Sequence, residues 1–161
     1  MTKSAVYVFV SLILCGALTI FPGGCKQQEP AKLTIAVEGK ELSDAQIFIN
    51  EMLVGSLTQT IVMSDGKVYI NGIIAAKLPH QKDNQGVDSY SGCSDAMHLP
   101  SGRHTITLRT DEVEPLKVIV NISPGHHLLT ILPEKGMVKW DNTSLQIGPG
   151  RSVIIAPEKI K

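Results

Sequence analysis

Apolar and polar side chains alternate residue by residue through several short runs of this 161-residue chain, and a period of two belongs to a strand with one face turned inward. "LTIAV" sets Leu33, Ile35 and Val37 on one face. "HTITL" sets His104, Ile106 and Leu108 against Thr105 and Thr107, and "LKVIVNI" lines up Leu116, Val118, Val120 and Ile122. The more uniformly apolar "HLLTIL", from His127 to Leu132, reads as a central strand covered on both faces. Beyond the N-terminal segment, no window longer than about ten residues shows capped apolar spacing at 3.6, so little helix is expected there.

Turn chemistry sharpens the pattern. Asp65-Gly66 and Asn71-Gly72 accept positive φ at low cost and both sit between β-type runs. They enclose a strand from Lys67 to Ile70, which is expected to pair with Thr60 to Ser64 on one side and Ile73 to Lys77 on the other. "IFINEMLVG" and "VYINGIIAA" spell one phrase twice: strand, Asn, reversal, strand. Alternation gives Phe48 and Tyr69 the opposite face from their Ile and Val neighbours. In the first copy Asn50-Glu51 occupies the turn, and Glu51 predicts a looser reversal than Gly72.

The N-terminus is read apart from the fold. Lys3 precedes an apolar run from Ala5 to Phe21, which breaks at "FPGGC". Gly23 and Gly24 leave minimal side chains before Cys25, and the stretch resembles a bacterial lipoprotein signal. The resemblance implies a signal peptide over residues 1–24, cleavage before Cys25 and lipidation of that Cys. Residues 25–32 then form a linker. Several acyl chains hold a protein to a bilayer stably, where one holds only marginally. Lys26 after the acylated Cys resembles lipoproteins sent to the outer membrane, so the expected location is the cell envelope, by a lipid anchor.

The chain balances 15 Lys and Arg against 15 Asp and Glu, without a basic block or stripe. Nucleic acid is therefore not an expected partner, since such binding rests on clustered Lys and Arg against phosphates. With Cys25 acylated, Cys93 has no partner for an internal disulfide.

"AQIFIN" at Ala45 to Asn50 with Val54-Gly55 (or, alternatively, "VYING" at Val68 to Gly72), then "LPSGRHTITL" and "LKVIVNISPGHHLLTILP", resemble the PEGA domains of bacterial envelope proteins. The resemblance implies an all-β fold, a small antiparallel β-sandwich over residues 33–136, serving as a non-catalytic structural or interaction module. Residues 137–161, with "MVKW", "SLQI" and "SVII", read as extra strands extending a sheet or covering its edge.

Residues 79–97, "PHQKDNQGVDSYSGCSDAM", are polar and read as an inserted loop, a candidate interaction surface through Asp83, Asp88, Tyr90, Cys93 and Asp95. Asp83, Asn84, Asp88 and Asp95 lack the cadence of a calcium loop, so solvated carboxylates are the better reading. Cys93 with His98 or His104 shows no legible activating constellation for a nucleophile. The five histidines, His80, His98, His104, His126 and His127, lack metal-ligand spacing. No G-x-x-x-x-G-K-[ST] phosphate cradle exists. Trp140 is expected as a core or edge aromatic, with a glycan-stacking platform together with Tyr90 as the alternative. The expected partners are thus the membrane and an envelope protein or glycan. No cofactor, metal or catalytic residue is expected, and a hydrolase is the remaining minor reading.

Overall fold

The computed structural model describes residues 30–63, 66–77 and 86–155. Cys25, the signal segment, His80 and Asp83 lie outside them.

The described chain is all-β, with one short 3₁₀ turn at Pro133–Lys135. It opens with β1 (Ala31–Glu38), crosses to β2 (Gln46–Ile49) and β3 (Met52–Ser56), and returns through β4 (Thr58–Met63), β5 (Lys67–Ile70) and β6 (Ile73–Lys77). After β7 (Val87–Cys93) and β8 (Met97–Leu99) it crosses again for β9 (Gly102–Arg109) and β10 (Leu116–Ile122). The last elements are β11 (Gly125–Leu132), β12 (Met137–Trp140), β13 (Thr143–Gln146) and β14 (Ser152–Ile155).

Two sheets result. The larger runs β13-β12-β11-β1-β7-β4-β5-β6, with β8 also on β1, and the smaller runs β14-β10-β9-β2-β3. Both are mixed, which corrects the antiparallel expectation: β1 runs parallel to β11, and β10 runs parallel to β14. The reason is where each strand enters. β11 begins beside Ala31, at Gly125, because the turn after β10 delivers the chain to the pole where β1 starts.

Alternation sets the core. Leu33, Ile35 and Val37 of β1, Ile106 and Leu108 of β9, and Leu116, Val118, Val120 and Ile122 of β10 are buried in one cluster with Leu129 and Ile131 of β11. The cluster draws on both sheets. Its rows are in register: Ile47, Leu108 and Leu116 oppose one another across β2, β9 and β10. Phe48 turns the other way, under the Arg109 guanidinium 4.4 Å from its ring centroid.

Three boundaries move. Ala31 and Lys32, expected in the linker, begin β1 because Ala31 is buried against the core. Residues 79–97, expected as an inserted loop, contain β7, a strand between β1 and β4, so Asp88, Tyr90 and Cys93 lie on a sheet strand and Asp95 follows it. The strands beyond residue 136 extend the sheets as expected, β12 and β13 one and β14 the other, but they also share the core, through Val138, Val153 and Ile155.

The doubled phrase is a hairpin device. Asn50 and Glu51 both have positive φ, 49° and 70°, so this reversal is a tight two-residue turn and the expectation of a looser one is corrected. The Asn50 N–H donates to Thr105 O at 2.8 Å, and Asn50 Oδ1 accepts from the Thr105 N–H at 2.9 Å. The side chain thereby acts as one more rung of the ladder, next to β9. Asn71 repeats both bonds with Gln59 of β4, at 2.9 and 3.0 Å. Asp141, at the β12–β13 turn, repeats them with Leu128 of β11, at 2.9 and 2.8 Å. Each outer hairpin is thus stitched to the third strand inboard.

Asn50 carries a further bond, from its Nδ2 to His104 Nδ1 at 3.2 Å, while His104 Nε2 donates to Pro100 O at 2.8 Å. His104 is buried, so removing its donor leaves an unpaired acceptor. Asn50→Ala is expected to cost about 2 kcal/mol, and Asn71→Ala about 1, because Asn71 supports no buried group. Urea denaturation midpoints at constant slope compare the two.

Candidate functional site

The two sheets differ in reach. No residue of β4, β5, β6 or β3 is fully buried, whereas β1 and β10 alternate buried with accessible positions and β9 is buried from Ile106 to Leu108. β4, β5 and β6 therefore form a wing at one end of the larger sheet that contributes no fully buried residue. β3 joins this wing through Leu57 alone, where one extended segment passes from sheet to sheet.

Register shows what the wing presents. Val37, Gly92 and Gln59 stand side by side across β1, β7 and β4, so they share the core face. Two residues along, Tyr90, Ile61 and Tyr69 line up on that same face, with Ile74 of β6 beside Tyr69. Residues 39–45 cross the sheet between the core and this row. Gln59 Nε2 donates to Ser43 Oγ at 2.8 Å there, and Lys40 Nζ sits 6.0 Å over the Tyr90 ring. Beyond that crossing Tyr90, Ile61 and Tyr69 are half-buried and Ile74 is exposed.

Six of the eight large apolar side chains exposed among the described residues belong to two hairpins: Met52, Leu53 and Val54 on β3, and Ile70, Ile73 and Ile74 at the β5–β6 turn. β3 and β6 are also sheet edges. Natural edges are usually blunted by Lys, Pro or bulged strands that keep other chains from pairing. Here β3 carries no charge and β6 carries only Lys77 at its end, although each edge has one register irregularity against its neighbour, at Val54 and at Ala75. β13, with Thr143, Ser144 and Gln146, is a polar edge by comparison.

Tyr90 is thus the one sequence-predicted candidate that joins this surface. Cys93 is an exposed free thiol at the end of β7, its Sγ 3.5 Å from Ser94 O. Asp95 is exposed after β7. Trp140 opposes Leu129, on the far side of β11 and β1 from Tyr90. Three strand spacings, roughly 14 Å, separate β12 from β7. The two rings do not form one platform, and one face of Trp140 is already covered by the His127 ring, 5.0 Å away and inclined by 11°. Among the described residues no three His, Cys, Asp or Glu side chains gather as a metal site.

One constellation was not legible in the sequence. His127 Nδ1 donates to Asp141 Oδ2 at 2.8 Å, and its Nε2 lies 3.3 Å from Ser123 Oγ. The residue types match a Ser-His-Asp triad, so the distances decide. A general base needs its proton donor within about 2.6–3.2 Å. Ser123 O lies nearer to Nε2, at 3.0 Å, but with the ring proton on Nδ1 toward Asp141, Nε2 has no hydrogen for that carbonyl and accepts only from the Ser123 hydroxyl. The ring ties the turn between β10 and β11 to the β12–β13 turn, with its contact to Ser123 Oγ slightly longer than that range. Only the pairing of strands brings Ser123 and His127 to Asp141, which is why spacing along the chain gave no sign of it.

No protein-family model, curated protein or solved structure matches this chain.

Proposed function

We propose that this chain is a bacterial envelope lipoprotein, anchored through Cys25 to the outer membrane, whose PEGA-like β-sandwich is a non-catalytic module that binds an envelope protein through the wing. The observation that carries the reading is the pair of exposed, largely apolar edges at β3 and β6, on which Lys77 is the one charged residue. Backbone groups on an open edge supply affinity for an added strand, and alternate side chains supply specificity. Chain direction supports it too. β1 starts at Ala31, next to the proposed tether, and rises roughly 3.3 Å per residue toward Glu38. β4 starts level with Ala36 and runs on past Glu38, so the wing points away from the anchored pole.

The test uses the full-length protein in cells with a photoactivatable residue at Ile73, or at Ile154, which is exposed on the opposite edge of the smaller sheet. Cross-linked adducts are expected from position 73 and not from 154. Equal labelling at both, or none at 73, would overturn the proposal. Cys25→Ser is expected to move the protein out of the membrane fraction. A shift of Trp140 fluorescence with cell-wall fragments would favour the glycan reading in its place.

A further inference from the structure

We propose that the occupant of these edges is a second copy of this chain, with β6 of one copy pairing antiparallel with β3 of the next. This deepens the reading of the wing as the interaction surface and rests on it. The two edges are equal in length, five residues each, and both are exposed along their whole run. One register aligns them, with the irregular residue of each edge, Val54 and Ala75, on neighbouring rungs. With Lys77 set opposite the next copy's Glu51, Ala76 meets Met52, Ala75 meets Leu53, Ile74 meets Val54, and Ile73 meets Gly55. Large side chains face small ones at three of these positions, and the remaining apolar pair is β-branched on both sides, a combination that packs well across strands.

Charge complementarity selects this pairing over its rivals. Glu51 is exposed at the β2–β3 turn and Lys77 is exposed at the end of β6, so the antiparallel match of β6 with β3 closes one opposite-charge pair. Two β3 edges meeting would leave Glu51 without a cation from the other edge, and two β6 edges would leave Lys77 without an anion. Gly55 has open space where a Cβ would stand, which leaves room for Ile73. Because the two edges are different surfaces, the contact is heterologous, and repetition gives a ring or an open chain of copies instead of a closed dimer.

The experiment is oxidative cross-linking of the full-length protein in cells, in a Cys93→Ser background that serves as the blank. Met52→Cys and Ala76→Cys place two thiols directly opposite across the proposed contact, close enough to bridge. A chain carrying both is expected to give a ladder of dimers and higher multimers on a non-reducing gel, and either single variant no more than the blank. Lys77→Glu in the double-cysteine chain is expected to weaken the ladder several-fold, and adding Glu51→Lys to restore it. A dimer from Met52→Cys alone or Ala76→Cys alone, a missing ladder, or failed restoration overturns the pairing. If the ladder is absent while position 73 still captures a different protein, self-pairing fails and the wing reading stands. If neither appears, both fail.

Discussion

Gly92→Ala is expected to destabilise the protein by about 3 kcal/mol or more, although it adds a single methyl group. A Cβ at Gly92 would press into the Ser43 carbonyl oxygen and lie within 2.8 and 2.9 Å of the Ser43 carbonyl carbon and Cα. All three are backbone atoms, so no rotamer change relieves the clash. The crossing segment would have to lift off β7. That segment carries Leu42, Ser43 and Ala45, all buried, and Glu41, which pairs with Arg151 ahead of β14. Lifting it opens the shared core beside the wing. Against a total stability of about 5–15 kcal/mol for a domain, the loss would show as a large fall in the urea midpoint. Gly55→Ala is the control: nothing lies within 4 Å of the added carbon. A midpoint for Gly92→Ala equal to that control would mean the crossing does not pack as described.

The same position explains why β7 was hidden. "VDSYSGC" has neither an apolar alternation nor a β-branched run, since Gly92 makes way for a passing backbone on its inner side. A strand selected by what it must avoid leaves little mark in hydropathy. The strands of the core were legible for the converse reason. Leu33, Ile35 and Val37, or Leu116 to Ile122, are chosen by burial on one face, and burial writes a period of two.

Strand direction was not legible. Whether β11 lies parallel or antiparallel to β1 depends on which pole the preceding turn reaches, a property of the whole path. Nor does local pattern report cover. The doubled phrase makes the same hairpin twice and repeats the same Asn bonds, yet Ile47 and Ile49 of the first copy are buried while the matching Val68 and Ile70 are not. The copies differ because opposite faces turn toward the core: Ile47 and Ile49 face it in the smaller sheet, whereas in the larger sheet Tyr69 takes the core-side face and leaves Val68 and Ile70 on the other. The wing was therefore unreadable as a surface, and its strands were readable as strands.

Two isoleucines of the larger sheet separate packing from exposure. Ile35 is fully buried beside Leu129, and its N–H donates to Ser94 Oγ at 2.9 Å; Ile73 is 73% exposed. Ile35→Ala is expected to cost about 2–5 kcal/mol, the usual range for a buried aliphatic truncation plus its cavity. Ile73→Ala is expected to stay within about 0.5 kcal/mol, as surface changes do. Ile73→Lys should keep the melting midpoint while removing the adducts captured from the wing in cells, because a charge on an open edge opposes strand addition. On the proposed reading, the contribution of this exposed Ile lies in what it contacts outside the domain. If Ile73→Ala were as costly as Ile35→Ala, the wing would be packed within the chain itself, and the case for it as a docking edge would be lost.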